Sequence, residues 1–181
     1  MTTEMKTTAQ WLERVENDYD YFVDWMKKQY RGEVRASIKV REFAETIEPS
    51  KLREDLMSIA DDESRHANWI RAILIIENIE IDADQANADN RYWREVMDGA
   101  EDYTRDEMLA AGAHAETMRL HRIAAVADSE VFQEHITKTF SKIFTDELRH
   151  ATIFRDACSD DAYLAMSEKH EAGLRALGLE I

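Results

Sequence analysis

Two five-residue segments constrain this chain more than anything else in it: Asp62-Glu63-Ser64-Arg65-His66 and Asp146-Glu147-Leu148-Arg149-His150. Both read D-E-x-R-H, and both sit inside strong helical hydrophobic patterns. Residues three apart on a helix share a face. Glu63 and His66 therefore project together, and so do Glu147 and His150. The Asp four residues before each His lies on that face as well. It can accept the second imidazole N–H and so set the tautomer. A carboxylate and an imidazole on one ion, with another carboxylate behind, suit iron or manganese.

The rest of the chain reads as helix. Five glycines and one proline among 181 residues are few breakers. Trp11, Val15, Phe22, Trp25 and Met26 recur at helical spacing, which predicts a first helix over residues 8–47, stopped by Pro49. A second helix is predicted over 50–78, a polar loop over 80–90 and a short helix over 91–98. A third long helix over 102–127 follows. Asp128 and Ser129 give a turn and N-cap pattern that opens a fourth helix over 129–158. A last helix over 161–177 ends at Gly178. The helix-two length and the loop's reach require a break near Asp98-Gly99, and helices two and three then run parallel across a crossover.

A two-metal site in a bundle needs one more carboxylate from each of two further helices. Glu33 lies 30 residues before Glu63, and their midpoint is the Glu48-Pro49 turn. Glu116 lies 31 residues before Glu147, with its midpoint near the Asp128-Ser129 turn. Folding each hairpin back levels its two glutamates. Glu33 maps onto Glu116, and the two D-E-x-R-H segments onto each other, at nearly the same offset. Trp11 roughly matches Trp93. The chain thus reads as a duplicated hairpin. The candidate ligands are Glu33, Glu63, His66, Glu116, Glu147 and His150, with Asp62 and Asp146 behind the histidines. Tyr30, one turn before Glu33, is a candidate to line a pocket.

This pattern resembles the ferritin-like di-iron carboxylate superfamily over about residues 8–158. The superfamily includes ferritins, rubrerythrins, ribonucleotide reductase small subunits, bacterial multicomponent monooxygenases and aldehyde-deformylating oxygenases. The D-E-x-R-H form looks most like the monooxygenase and reductase-subunit branch. The short hairpin spacing is closer to rubrerythrins and deformylating oxygenases. Ala113 stands where rubrerythrins carry an extra glutamate, and the chain has no Cys-x-x-Cys module. The resemblance implies an all-α, ferritin-like four-helix bundle with a crossover connection and a short C-terminal helix. It implies two iron ions, or a manganese–iron pair, on the six residues above.

Composition bounds the partners. The net charge of −15 disfavours nucleic acid and anionic membranes. No apolar run is long enough to span a bilayer, and residues 1–10 contain no apolar leader segment. A single cysteine, Cys158, makes the reducing cytoplasm the expected setting. The length suits one domain over residues 1–181. His114, His121, His135 and His170 lack the duplicated Glu partner and read as surface or structural, and the tryptophans as packing. The expected activity is that of a non-haem di-iron oxidoreductase which activates dioxygen to oxidise a small organic substrate. Electrons would come from a donor the sequence does not identify, and the chain could act as a homodimer. The alternative is a ferroxidase or peroxidase that handles iron and peroxide.

Overall fold

Local capping residues decide where the helices begin. The structure, a computed structural model, describes residues 6–81 and 91–180. Thr7 accepts the Gln10 N–H while the Gln10 side chain accepts the Thr7 N–H, and α1 runs over Thr8–Asn17. It stops at Asp18, whose carboxylate accepts the Tyr21 N–H at 3.0 Å and starts α2, Tyr19–Glu45. The single helix expected over 8–47 is therefore two. A side chain that bonds the backbone ahead of it offers an alternative to the helical ladder. Ser50 caps α3, Lys51–Ile76.

The expected polar loop lies, from residue 82 onward, outside the described residues. The chain resumes in the short α4, Arg91–Val96. The break required near Asp98-Gly99 is present. Gly99 adopts φ +77°, which a β-carbon disfavours. A turn of 3-10 helix at Ala100–Asp102 follows, and Thr104 and Glu107 form a capping box for α5, Arg105–Ala127. The next helix begins later than expected. α6 spans Glu134–Ala157 with Gln133 at its cap. Ser129 instead accepts the Val131 N–H and donates to Glu16, so it shapes the connecting turn. α7, Asp160–Leu177, starts at Ser159 and ends at Gly178.

Contacts between helices give the topology. Arg41 pairs with Asp61 at 2.6 Å and Arg53 donates to the Ile47 carbonyl at 3.1 Å, so α2 and α3 form an antiparallel hairpin. α5 and α6 form the second hairpin. Across the bundle Asp62 meets Arg149, and Arg65 meets Asp146, so α3 is antiparallel to α6. α3 and α5 must then be parallel, which is the crossover arrangement of a ferritin-like bundle. α1 packs on α2 and α5, while α7 covers α4 and α5. The duplication extends to the leading helices, because α1 precedes α2 as α4 precedes α5. It has diverged there: Trp11 is buried, whereas Trp93 is 39% exposed and its neighbour Tyr92 takes the interior position.

The core is two apolar layers with a polar band between them. One layer gathers Ala44, Leu56, Ile59, Leu109 and Phe154 with the small residues of α5. The other gathers Trp11, Trp25, Met26, Ile70, Ile123, Phe140 and Ile143. On every bundle helix the six candidate ligands fall between residues of the first layer and residues of the second. Such layers keep water from the band and strengthen the electrostatics within it. Among the described residues no helix is long and apolar enough to cross a membrane.

Candidate metal centre

Each bundle helix delivers its part of the site from one face. α2 supplies Glu33, α3 Glu63 and His66, α5 Glu116, and α6 Glu147 and His150, and all six side chains are buried. Their donor atoms form two groups, in each of which all atoms lie within 4.8 Å of one another. One group is Glu33, Glu63, His66 and Glu147. The other is Glu63, Glu116, Glu147 and His150. Glu63 and Glu147 belong to both. The arrangement repeats the pseudo-twofold symmetry of the sequence: each group has one private glutamate, one private histidine and the two shared carboxylates.

Both imidazoles turn Nδ1 inward. His66 Nδ1 lies 3.5 Å from Glu147 Oε1 and 3.7 Å from Glu33 Oε2. His150 Nδ1 lies 3.2 Å from Glu63 Oε1 and 3.3 Å from Glu147 Oε2. Both turn Nε2 outward to an aspartate, but not to the one on their own helix. His66 Nε2–H donates to Asp146 at 3.1 Å, and His150 Nε2–H donates to Asp62 at 3.2 Å. The expectation that each Asp serves the His four residues later is thus corrected. The Cβ positions share a face, but the rings point into the bundle, and there the facing helix offers the nearer carboxylate. The two arginines of the repeated segments complete the exchange. Arg149 pairs with Asp62, while Arg65 bridges Asp62 and Asp146. Trp69 packs against His66 with ring centroids 5.6 Å apart.

The sequence reading missed Arg119, one turn after Glu116 on α5. Its guanidinium pairs with Glu33, lies 3.0 Å from Glu147, 3.5 Å from Glu116 and 3.6 Å from Glu63. The three-residue spacing from Glu116 was the available sign. The duplication hid it, since the matching position in the first hairpin is Ala36.

The four carboxylates do not ionise alike. Burial opposes charge on all of them. For Glu33 and Glu147, Arg119 and the hydrogen-bonding neighbours outweigh burial and hold the carboxyl below the ordinary range. Glu63 and Glu116 are pushed well above it by burial and by the charge on Glu147. Burial also disfavours the imidazolium forms. The carboxylates of Glu147 and Glu33 nonetheless push His66 up to about 11, and those of Glu147 and Glu63 push His150 up to about 10. So many acids confined together are costly unless cations compensate them.

The donor set fits a metal. Glu33 Oε2, both oxygens of Glu63, His66 Nδ1 and Glu147 Oε1 are buried without a hydrogen-bond partner. Buried polar atoms are rarely left so. Their residues are members of the two groups, and oxygen with imidazole nitrogen is a donor chemistry for iron.

The other singled-out residues lie elsewhere. Tyr30 is half-buried and packs against the second apolar layer. His114 stacks between Tyr163 and His170, at centroid distances of 3.9 and 4.6 Å. His135 lies 2.9 Å from Glu77. Cys158 is a buried free thiol.

A four-helix bundle with a crossover, and buried Glu and Glu-x-x-His positions on paired helices, defines the ferritin-like class. Within that class, the rubrerythrin family model matches residues 24–158, most of the chain, and the protein belongs to the rubrerythrin family. No curated protein and no solved structure matches it significantly. The family and the buried carboxylate–imidazole groups together support a ferritin-like, iron-binding protein of oxidoreductase type.

Proposed function

We propose that this chain is a di-iron oxidoreductase that activates dioxygen to oxidise a small organic substrate. One observation carries the reading: the two donor groups match in composition, each with its own imidazole and an aspartate behind that imidazole. An ion passed onward needs a shell poorer in ligands than its neighbour's, and here each group has three carboxylates and one imidazole. Glu33, Glu63, His66 and Glu147 would hold one ion, and Glu63, Glu116, Glu147 and His150 the other. When bound, the iron pair supplies redox equivalents and Lewis acidity.

The protein's own part follows from the geometry. Asp62 and Asp146 accept hydrogen bonds from the Nε2–H groups, which fixes both rings with Nδ1 inward, where an ion would displace its proton. The apolar layers exclude water on both sides of the band. Arg65 and Arg149 hold the aspartates in place, and Trp69 covers His66. The single buried thiol suits a reducing, cytoplasmic setting.

Family membership favours a second reading, a ferroxidase or peroxidase for iron and peroxide. Stopped-flow mixing of the protein with excess ferrous iron and air separates the two. Oxidation that stops after about two ions per chain, the capacity of this ligand class, supports the iron as cofactor. Sustained oxidation of far more ions would establish iron as substrate and overturn the oxygenase reading.

A further inference from the structure

Four ring side chains form a stack outside the metal centre, where three helices meet. Tyr163 and His170 project from α7, His114 from α5 and Tyr92 from α4. His114 lies between Tyr163 and His170 and donates its Nε2–H to the Tyr163 carbonyl at 2.9 Å. The Tyr92 ring meets the His170 ring edge-on, with centroids 5.8 Å apart. The backbone of α7 also touches Tyr92: a β-carbon added at Gly173 would stand 2.5 Å from that ring. The two ends of α7 are held separately. The Ser159 N–H donates to Asp106 at 3.1 Å, and Lys6 exchanges backbone hydrogen bonds with Gly178 and Glu180. α7 therefore lies across α4 and α5 as a strap, and the ring stack fixes the span between its ends.

The stack closes only with His170 neutral. Tyr92 is buried, and among the described residues its hydroxyl has one hydrogen-bond partner, His170 Nδ1 at 2.9 Å. A buried hydroxyl proton without an acceptor is costly, so the phenol donates and Nδ1 accepts. Burial and then the Glu116 carboxylate push the phenol up and keep its proton in place. A proton on Nδ1 would set two donors against each other. The surroundings oppose that proton as well. α5 presents His114, another base that burial holds low. α4 presents Tyr92, while its Arg91 bonds the Ala176 carbonyl. Arg155 of α6 lies over the Tyr163 ring. On α7, Glu171 favours the proton, but it is exposed and pairs with Arg175 at 3.5 Å.

We propose that α7 is an acid-released strap: a proton taken up on His170 Nδ1 breaks the bond from Tyr92 and frees the second half of α7 from α4 and α5. His170 sits at about 4 in the closed strap, and a freed imidazole returns to about 6.5. Its contribution to closure is therefore full above that pH and is lost as pH falls toward 4. The opened strap uncovers Tyr92 and the flank of α5, the helix that carries Glu116. The test is hydrogen exchange of the full chain by mass spectrometry, corrected for intrinsic exchange rates. Between about pH 7.5 and about pH 5, protection over residues 168–177 should fall about 10–30-fold, while protection over α2 changes little. His170→Gln, which carries no titrating ring, should abolish the extra fall in α7. Tyr92→Phe, which removes the donor facing Nδ1, should shrink it, and it decides the matter should the Gln variant fail to fold. An α7 that loses no more protection than α2 overturns the proposal, as does a fall in both variants as large as in the wild type.

Discussion

Asp62→Asn and Asp146→Asn should weaken different ions, and by different amounts. The substitution keeps the shape and removes the charge. An asparagine oxygen still accepts an imidazole N–H, but it no longer raises the basicity of the ring. Changes of this kind behind a ligand cost roughly 10–100-fold in metal affinity, or about 1.4–2.7 kcal/mol. Asp62 should fall at the upper end. Its side chain is 7% exposed, against 24% for Asp146, and it also pairs with both Arg149 and Arg65. Replacing it leaves Arg65 and Arg149 facing a neutral amide. The crossing of the aspartates sets which ion suffers. Asp62 supports His150, and so the ion held with Glu116, while Asp146 supports His66 and the ion held with Glu33. The assay places each Asn substitution in a Glu33→Ala background, where only the Glu116 group is complete, and titrates ferrous iron anaerobically against a competing chelator. Asp62→Asn should cost about 100-fold there, and Asp146→Asn only a few-fold. Equal losses, or a larger loss for Asp146→Asn, would refute the cross-helix pairing as the source of ligand strength.

The shared glutamates make a second distinction: Glu63→Ala or Glu147→Ala should lose both ions, while Glu33→Ala or Glu116→Ala should each retain about one of about two by elemental analysis. Two glycines should respond with opposite signs to alanine. At exposed Gly32 nothing lies within 4 Å of the added carbon, so helix propensity should raise the melting temperature by about 2–4 °C. At Gly112 the carbon would stand 2.6 Å from the Phe154 ring, and overpacking of about 1–3 kcal/mol should exceed the propensity gain and lower it; a melting temperature at or above wild type would count against this packing. Burial, and then the neighbouring His114, push His170 down to about 4, and its Nδ1 lies 2.9 Å from the Tyr92 hydroxyl. The unfolded chain therefore binds a proton near pH 6.5 that the folded chain refuses, so the His170 contribution is full above that pH and is lost as pH falls toward 4. Chemical denaturation should show the stability gap between wild type and His170→Gln narrowing over that window, by at most about 2 kcal/mol after allowing for partial exposure.

Local spacing already settled much of this protein. The Glu-x-x-His pairs, the hairpin midpoints that level Glu33 with Glu63 and Glu116 with Glu147, and the break at Gly99 all depend on helix pitch, chain reach or one residue's conformational freedom. Those are properties of the chain over a few turns. Where the reading went astray locally, a polar side chain was the cause. Asp18 ended one helix and began another without disturbing the apolar spacing, and Ser129 bonded into a turn rather than capping α6. What only the tertiary structure decided is how the faces meet. Asp62 serves His150 rather than His66, Arg65 and Arg149 reach across the bundle, and Arg119 sits among glutamates from all four helices. These pairings follow from the antiparallel register of α3 against α6 and from the rotation of each helix about its axis. Neither quantity is encoded in any one segment, because each is set by how the two apolar layers pack together.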